Sequence, residues 1–159
     1  MELVLYLMMD KKRIIAVASI GGHWIQLLRI AQPLEEKYNV VYVCTHKKCA
    51  TMVEGKPYHT FLDFSRWNIW KAIPAAFFAL YLLLKVHPKA VISTGAAPGL
   101  ITLFVAKVLR IKTIWIDSIA NAEHPSASGR LASRFVDQCY TQWPHEVNDK
   151  FRFSGNIFG

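Results

Sequence analysis

Short, β-branched and almost continuously apolar runs alternate along this chain with longer stretches of helical period. Arg13 to Ser19 (RIIAVAS), Asn39 to Thr45 (NVVYVCT), Ala90 to Ser93 (AVIS) and Thr113 to Asp117 (TIWID) are too short for helices and lack polar alternation. That combination predicts strands buried on both faces. Trp24 to Lys37, Trp67 to His87, Pro98 to Arg110 and Ser128 to Val136 supply helices after most of them. The βαβα rhythm predicts an α/β domain: a Rossmann-like parallel sheet with helices on both faces. No repeat, linker or low-complexity tract divides it, so residues 13–159 are expected to form one domain behind an apolar, then basic, extension over 1–12.

Sheets of this kind bind ligands where the carboxyl ends of strands lead into helices. Three turns occupy such places. Ser19-Ile20-Gly21-Gly22-His23 leaves the first strand; paired glycines let backbone amides approach an anion, and the helix that follows adds its positive end. The same pair also suits a plain tight turn. This is not the GxGxxG fingerprint, and no acid closes the second strand at Val43-Cys44-Thr45, which disfavours a nicotinamide cofactor. No cofactor is expected. The second turn, Ser93-Thr94-Gly95-Ala96-Ala97-Pro98-Gly99, runs through small residues to a proline suited to a helix's first turn. The third, Asp117 to His124, opens on an acid that suits a general base or a partner for a sugar hydroxyl, and equally an Asx turn.

Together the turns describe a cleft for an anionic, hydroxylated ligand. Gly21, Gly22, Thr94, Gly95, Ser118 and Asn121 are the candidate ligand-binding residues. His23, whose ring can donate to a phosphate oxygen or take a proton near neutral pH, and Asp117 are the candidate catalytic ones. Cys44, Cys49 and Cys139 are unpatterned, and the remaining histidines lack partners at ligand spacing, so no metal site is expected.

Charge adds a surface. The 159 residues are 53% hydrophobic, yet nineteen Lys and Arg against eleven Asp and Glu leave a net charge of +8. So apolar a chain is not disordered, and its charge points to a polyanionic partner, nucleic acid or an anionic membrane. No acid lies between Asp63 and Asp117, a stretch holding Arg66, Lys71, Lys85, Lys89, Lys107, Arg110 and Lys112 among aromatic residues. Within it Trp67, Lys71, Pro74, Phe78, Tyr81 and Lys85 share one helical stripe, while Ile69, Ile73, Ala76, Leu80 and Leu83 lie mostly on another. One stripe is expected on the sheet; the other, with Trp70, is expected at a membrane interface. Pro74 marks either the first turn of the main segment or a kink. The charge-free run Ala72 to Leu84 is roughly 20 Å long as a helix, against about 30 Å of hydrocarbon, which predicts a monotopic rather than a spanning element. Met1 to Met9 has no basic region ahead of it and is too short for a signal peptide, so export is not expected; it is either a membrane contact or a start-site extension.

The ordered set Ser19-Ile20-Gly21-Gly22-His23, Val91-Ile92-Ser93-Thr94-Gly95, Asp117-Ser118, Ser128-Gly129-Arg130-Leu131, Gln142-Trp143-Pro144 and Ser154-Gly155-Asn156 resembles the asparagine-linked glycosylation protein fourteen family, with its bacterial exopolysaccharide and capsule relatives of the PssD type. The resemblance runs from about Arg13 to Gly159. The three turns also resemble the acceptor domain of the lipid-linked peptidoglycan N-acetylglucosaminyltransferase, a two-domain GT-B enzyme. Family members often carry Glu at the position of Asp117.

The resemblance implies the N-terminal, acceptor-binding half of a GT-B glycosyltransferase. It implies a polyprenyl-diphosphate-linked saccharide acceptor, no bridging metal, and a separate donor-binding (nucleotide-sugar-binding) partner subunit. That partner is expected to dock near Asn156, Ile157 and Phe158, at the cytoplasmic face of the cell membrane. The leading expectation is therefore a membrane-associated subunit of a two-component inverting glycosyltransferase. The alternative is a non-catalytic membrane anchor that recruits a catalytic subunit. A basic nucleic-acid binder is the weaker third reading, and no nucleic-acid partner is expected.

Overall fold

Residues 11–64 and 66–157 are described by the computed structural model. The Met1 to Met9 stretch and Phe158 lie outside them. The apolar runs form β1 (Arg13–Ala18), β2 (Asn39–Cys44), β4 (Ala90–Ser93) and β5 (Lys112–Ile116), joined by three shorter strands, β3 (Tyr58–Thr60), β6 (Gln138–Thr141) and β7 (Arg152–Phe153). All pairs are parallel, in the order β3-β2-β1-β4-β5-β6-β7. β1 is an interior strand: Val17 pairs with Val43 on one side and Ser93 on the other.

Successive residues of β1 point to opposite faces, and each face has its own core. Ile15 and Val17 join Leu82, Leu83, Leu103 and Trp115 beneath α2 (Ala72–Val86), α3 (Ala96–Val108) and α4 (Ala127–Ala132). Ile14, Ala16 and Ala18 join Trp24, Leu27 and Tyr42 beneath α1 (Gly22–Ala31). Each fully buried Leu, Ile or Val stabilises the fold by about 1.5–3 kcal/mol. The strand order reverses direction between β1 and β4, so the loops after these two strands part there and leave a crevice.

The three strands not anticipated carry weak signals. Tyr58–Thr60 follows Pro57 at the sheet edge, Gln138–Thr141 is buried only at alternate positions, and Arg152–Phe153 is two residues long. The helix expected to reach Lys37 ends at Ala31, because Pro33 has no N–H to carry the i→i−4 ladder onward; Gln32–Glu36 is 3-10.

The stripes on α2 also need correction. Its buried face is Ala75, Ala79, Leu82, Leu83 and Val86, whereas Ile73, Phe77, Tyr81 and Leu84 point outward. Arg66–Lys71 is 3-10 with a non-helical Asn68 (φ −133°, ψ 49°), so a stripe extrapolated from Trp67 at 3.6 residues per turn loses phase before the α-helix starts. Pro74 falls in the first turn of α2, where its missing N–H costs no hydrogen bond.

Asp137 ties α3 and β5 to the start of β6. Its carboxylate pairs with the Lys107 ammonium and accepts from the Thr113 N–H and hydroxyl at 2.8 and 2.9 Å. Partial burial pushes this carboxyl upward, but Lys107 and Thr113 outweigh it and hold it below the usual 3.8. A depressed folded value stabilises fully above the ordinary range and loses that effect as pH falls through it. Asp137→Asn is accordingly expected to cost about 1 kcal/mol at neutral pH, with the gap between mutant and wild-type denaturant midpoints closing in acid.

Candidate functional site

The crevice is built by the turns after β1 and β4. Gly21 takes φ 101°, which glycine adopts freely, and Gly22 opens α1; both are exposed, with open space where a Cβ would stand. The Ile20 N–H donates to the Thr45 hydroxyl at 3.0 Å, tying this turn to the end of β2. Among the described residues no side chain caps α1, whose N-cap is Gly21, and no acid lies in its first turn. Its leading N–H groups and the positive end of its dipole therefore face the crevice.

His23 is the half-buried residue that joins the two turns. Its Nδ1 lies 3.0 Å from the Thr94 carbonyl, and the Thr94 hydroxyl donates to the His23 carbonyl at 2.7 Å. A carbonyl only accepts, so Nδ1 carries the proton and the neutral ring has its lone pair on Nε2. Gly95 completes the seat. A Cβ there would come within 2.3 Å of His23 Nδ1.

The expected ligand role of Thr94 and Gly95 is corrected by this geometry. Both are buried, Thr94 is spent on His23, and the Gly95 N–H donates to the Ser93 hydroxyl at 3.2 Å. They position the imidazole instead. The amides that this turn offers come one step later, from Ala96 and Ala97, at the N-terminus of α3, which no side chain caps. Ala96 holds φ 66°, a left-handed conformation unfavourable for alanine, and so marks local strain at the crevice.

Asp117 is corrected too. It is 2% exposed, and its two oxygens accept from Ser126 N–H (2.7 Å), Ser126 hydroxyl (2.6 Å) and Trp115 Nε1 (3.2 Å). A carboxylate so enclosed and engaged does not reach an acceptor hydroxyl; it holds the third turn. Ser126 in turn caps α4 through the Gly129 N–H at 2.8 Å. The same carboxylate and burial, burial first, push the Cys139 thiol up to about 12, so it stays protonated as a packing group.

Gln26 on α1 reaches this turn as well, donating to the Asp117 carbonyl at 2.9 Å and accepting from the Ile119 N–H at 3.2 Å. Trp143 Nε1 donates to the Ile119 carbonyl at 3.0 Å. Half-buried Ser118 and Asn121 lie within the turn, where the Ser118 hydroxyl accepts from the Ala120 N–H and the Asn121 N–H donates to the Ser118 carbonyl. Gln26 was legible as a polar residue inside the apolar stripe of Trp24, Leu27 and Leu28; Ser126 offered only a generic cap signal.

Two surfaces flank the crevice. On α2 and the turn before it, Trp67 is 84% and Phe77 68% exposed, with Trp70, Ile73, Tyr81 and Leu84 alongside. Lys71 and Lys85 lie over the rings of Trp70 and Tyr81 at 5.6 and 5.7 Å. Phe78 does not belong to this surface: it is half-buried, edge-to-face with Phe61 at 5.3 Å. Trp67–Val86 is long and apolar enough to cross a membrane by length and composition, but one face of α2 is packed on the sheet. The second surface is a groove of about 420 Å³ lined by Arg29, Tyr140, Gln142, Asn156 and Ile157, in which the Ile157 N–H donates to Gln142 Oε1 at 3.1 Å.

A family model described as oligosaccharide biosynthesis protein Alg14 like matches residues 64–157. The chain belongs to the Alg14-like family. A curated relative, the UDP-N-acetylglucosamine transferase subunit ALG14 of Eremothecium gossypii, is 34% identical over 67 residues, covering 38% of this chain and 30% of the relative. Among solved structures, MurG of Acinetobacter baumannii superposes with a TM-score of 0.75 at 16% identity, over 90% of this chain and 45% of that one. UDP-GlcNAc 2-epimerase from Neisseria meningitidis, bound to UDP-GlcNAc, gives 0.69 at 13% identity, over 91% of this chain and 47% of that one. The fold is thus the Rossmann-like domain of GT-B glycosyltransferases and epimerases, and this Alg14-like chain spans less than half of each of these proteins.

Proposed function

We propose that this Alg14-like chain is the acceptor-binding subunit of a two-component inverting glycosyltransferase working at the cytoplasmic face of the cell membrane. A single domain over 13–159 carries that role, and a separate chain binds the nucleotide sugar. The observation that carries the reading is His23: between two helix N-termini whose N-cap residues are glycines, Thr94 fixes its tautomer and Gly95 its seat, which leaves Nε2 as the nitrogen able to take a proton.

A polyprenyl-diphosphate-linked saccharide fits this chemistry. The first-turn amides of α1, with Gly21 and Gly22, and those of α3 would hold the diphosphate. Ser118 and Asn121, half-buried in the third turn, would meet a sugar hydroxyl. His23 Nε2 takes the proton of the acceptor hydroxyl as its oxygen attacks the anomeric carbon; the glycosidic bond forms, the bond to the nucleoside diphosphate breaks on the opposite side, and configuration inverts. The Eremothecium gossypii relative is a subunit of a UDP-N-acetylglucosamine transferase, which supports both UDP-N-acetylglucosamine as donor and the need for a partner. The groove at Asn156 and Ile157 is the proposed docking place.

Co-expression with a donor-binding partner is the test, with transfer to a lipid acceptor as readout. Activity is expected from the pair and not from either chain alone. His23→Gln is expected to lower kcat by roughly 10²- to 10⁴-fold while acceptor binding persists; undiminished turnover would leave only an anchoring role.

The exposed aromatic and basic face of α2 supports membrane association. Aromatic rings favour the headgroup level, and each nearby Lys adds about 1 kcal/mol against an anionic leaflet. Co-sedimentation with anionic vesicles is expected to fall at least tenfold, roughly 1.4 kcal/mol, in a Trp70→Ser, Phe77→Ser double variant and to weaken in high salt.

A further inference from the structure

We propose that the apolar groove bounded by the Arg66–Lys71 turn, α3 and α4 receives the isoprenoid chain of the lipid-diphosphate acceptor, an inference that rests on reading the crevice as the acceptor site. The groove measures about 530 Å³, and Phe64, Ile69, Leu100, Ile101, Phe104 and Leu131 form most of its wall. Among the described residues lining it, Ser128 is the one polar residue and none is ionisable. Its size suits a ligand rather than a packing defect. Ile69, Phe104 and Leu131 remain 71%, 51% and 48% exposed.

What points to the occupant is where the groove begins and where it leads. Ala97, which lines it, stands in the first turn of α3, the turn whose amides face the crevice. Leu100, Ile101 and Phe104 follow on the same helix, so an anion held at its N-terminus and a chain lying along its side are one helical turn apart. Phe104 and Phe135, edge-to-face with centroids 5.6 Å apart, mark the end remote from the strands' carboxyl ends. Ile69 and Ala72 form the other flank, continuous with the outward face of Trp70 and Ile73. The path therefore runs from an anion site to the surface proposed to meet lipid. A molecule whose anionic head is bonded directly to a branched hydrocarbon matches both ends at once. An acyl chain of a bilayer phospholipid matches only the apolar part, and a partner's helix has no counterpart for the uncapped amides.

Photolabelling of the full chain tests this with farnesyl diphosphate carrying a terminal benzophenone, followed by peptide mapping. The label is expected on lining residues of α3 or α4. Excess farnesyl diphosphate should abolish it, with farnesol and inorganic diphosphate each competing at least tenfold less well. Ala97→Phe, which fills the groove, and Leu131→Glu, which puts a charge at an already exposed position, are each expected to cut labelling at least fivefold at unchanged Tm. Labelling elsewhere, unchanged labelling in both variants, or equal competition by phosphatidylglycerol vesicles overturns the proposal; so does loss of the label on adding the donor-binding partner alone, which would assign the groove to a protein segment. Labelling requires no sugar transfer, so an active complex without groove labelling refutes the groove alone, and groove labelling in a chain inactive with every partner refutes only the catalytic reading.

Discussion

Gly95→Ala is expected to lower kcat/KM of the reconstituted transferase by at least about 100-fold, with the loss routed through a residue it does not replace. The added Cβ would stand 2.3 Å from Nδ1 and 2.5 Å from Cε1 of His23, and the backbone at φ 147° is one that L side chains rarely adopt. Either the imidazole swings out or the start of α3 retreats, and both break the bond from Nδ1 to the Thr94 carbonyl. Without that bond the protonated nitrogen is no longer fixed. Displacement of a catalytic group by about 1 Å costs on the order of 100-fold. The pairing can be isolated thermodynamically: Gly95→Ala should destabilise the wild-type background more than a His23→Gly background, where the clash has gone and activity already lost with His23 falls no further. Strict additivity of the two melting shifts would show that Gly95 does not seat the ring.

Why the sequence reading found this crevice, yet misassigned some of its members, has a physical cause. Strands buried on both faces leave a period-free apolar signature, so β1, β2, β4 and β5 were legible, and with them the turns at their carboxyl ends. Glycine at a strand end, however, signals only that the backbone does something a side chain would hinder. At Gly21 and Gly22 that something is exposure to the crevice; at Gly95 it is room for His23, seventy-two residues earlier in the chain. No local pattern separates the two cases. Phe78 was lost differently: on the uninterrupted helix α2 it sits between the outward line of Ile73, Phe77, Tyr81 and Leu84 and the buried line of Ala75, Ala79 and Leu82, and spacing alone does not tell to which side its ring turns. The outward surface that results is more apolar than expected, since Ile73, Phe77 and Leu84 join the tryptophans there.

Asp117 yields the other large effect, and it discriminates between two meanings of a buried acid. Asp117→Asn is expected to destabilise the fold by about 3 kcal/mol. The wild-type carboxylate is an acceptor at both oxygens, facing the Ser126 N–H at Oδ2 and the Trp115 Nε1–H and Ser126 hydroxyl at Oδ1. An amide turns one of those positions into a donor. Placed at Oδ2 it opposes the Ser126 N–H; placed at Oδ1 it opposes the indole, and either way a buried donor loses its acceptor. Each such loss costs about 1–3 kcal/mol, more where the acceptor carried charge. In a domain of this length that corresponds to a fall in Tm of roughly 10 °C. Ser126→Ala, which removes the α4 cap and one of the three bonds, should reproduce about 1 kcal/mol of it. Gly129→Ala pushes the same way, because its Cβ would lie 2.7 Å from Asp117 Oδ1. Thermal melts and transfer rates together decide the matter. A general base at this position would lose kcat with its melting temperature unchanged; a residue that positions the third turn loses both, in proportion across Asp117→Asn, Ser126→Ala and Gly129→Ala.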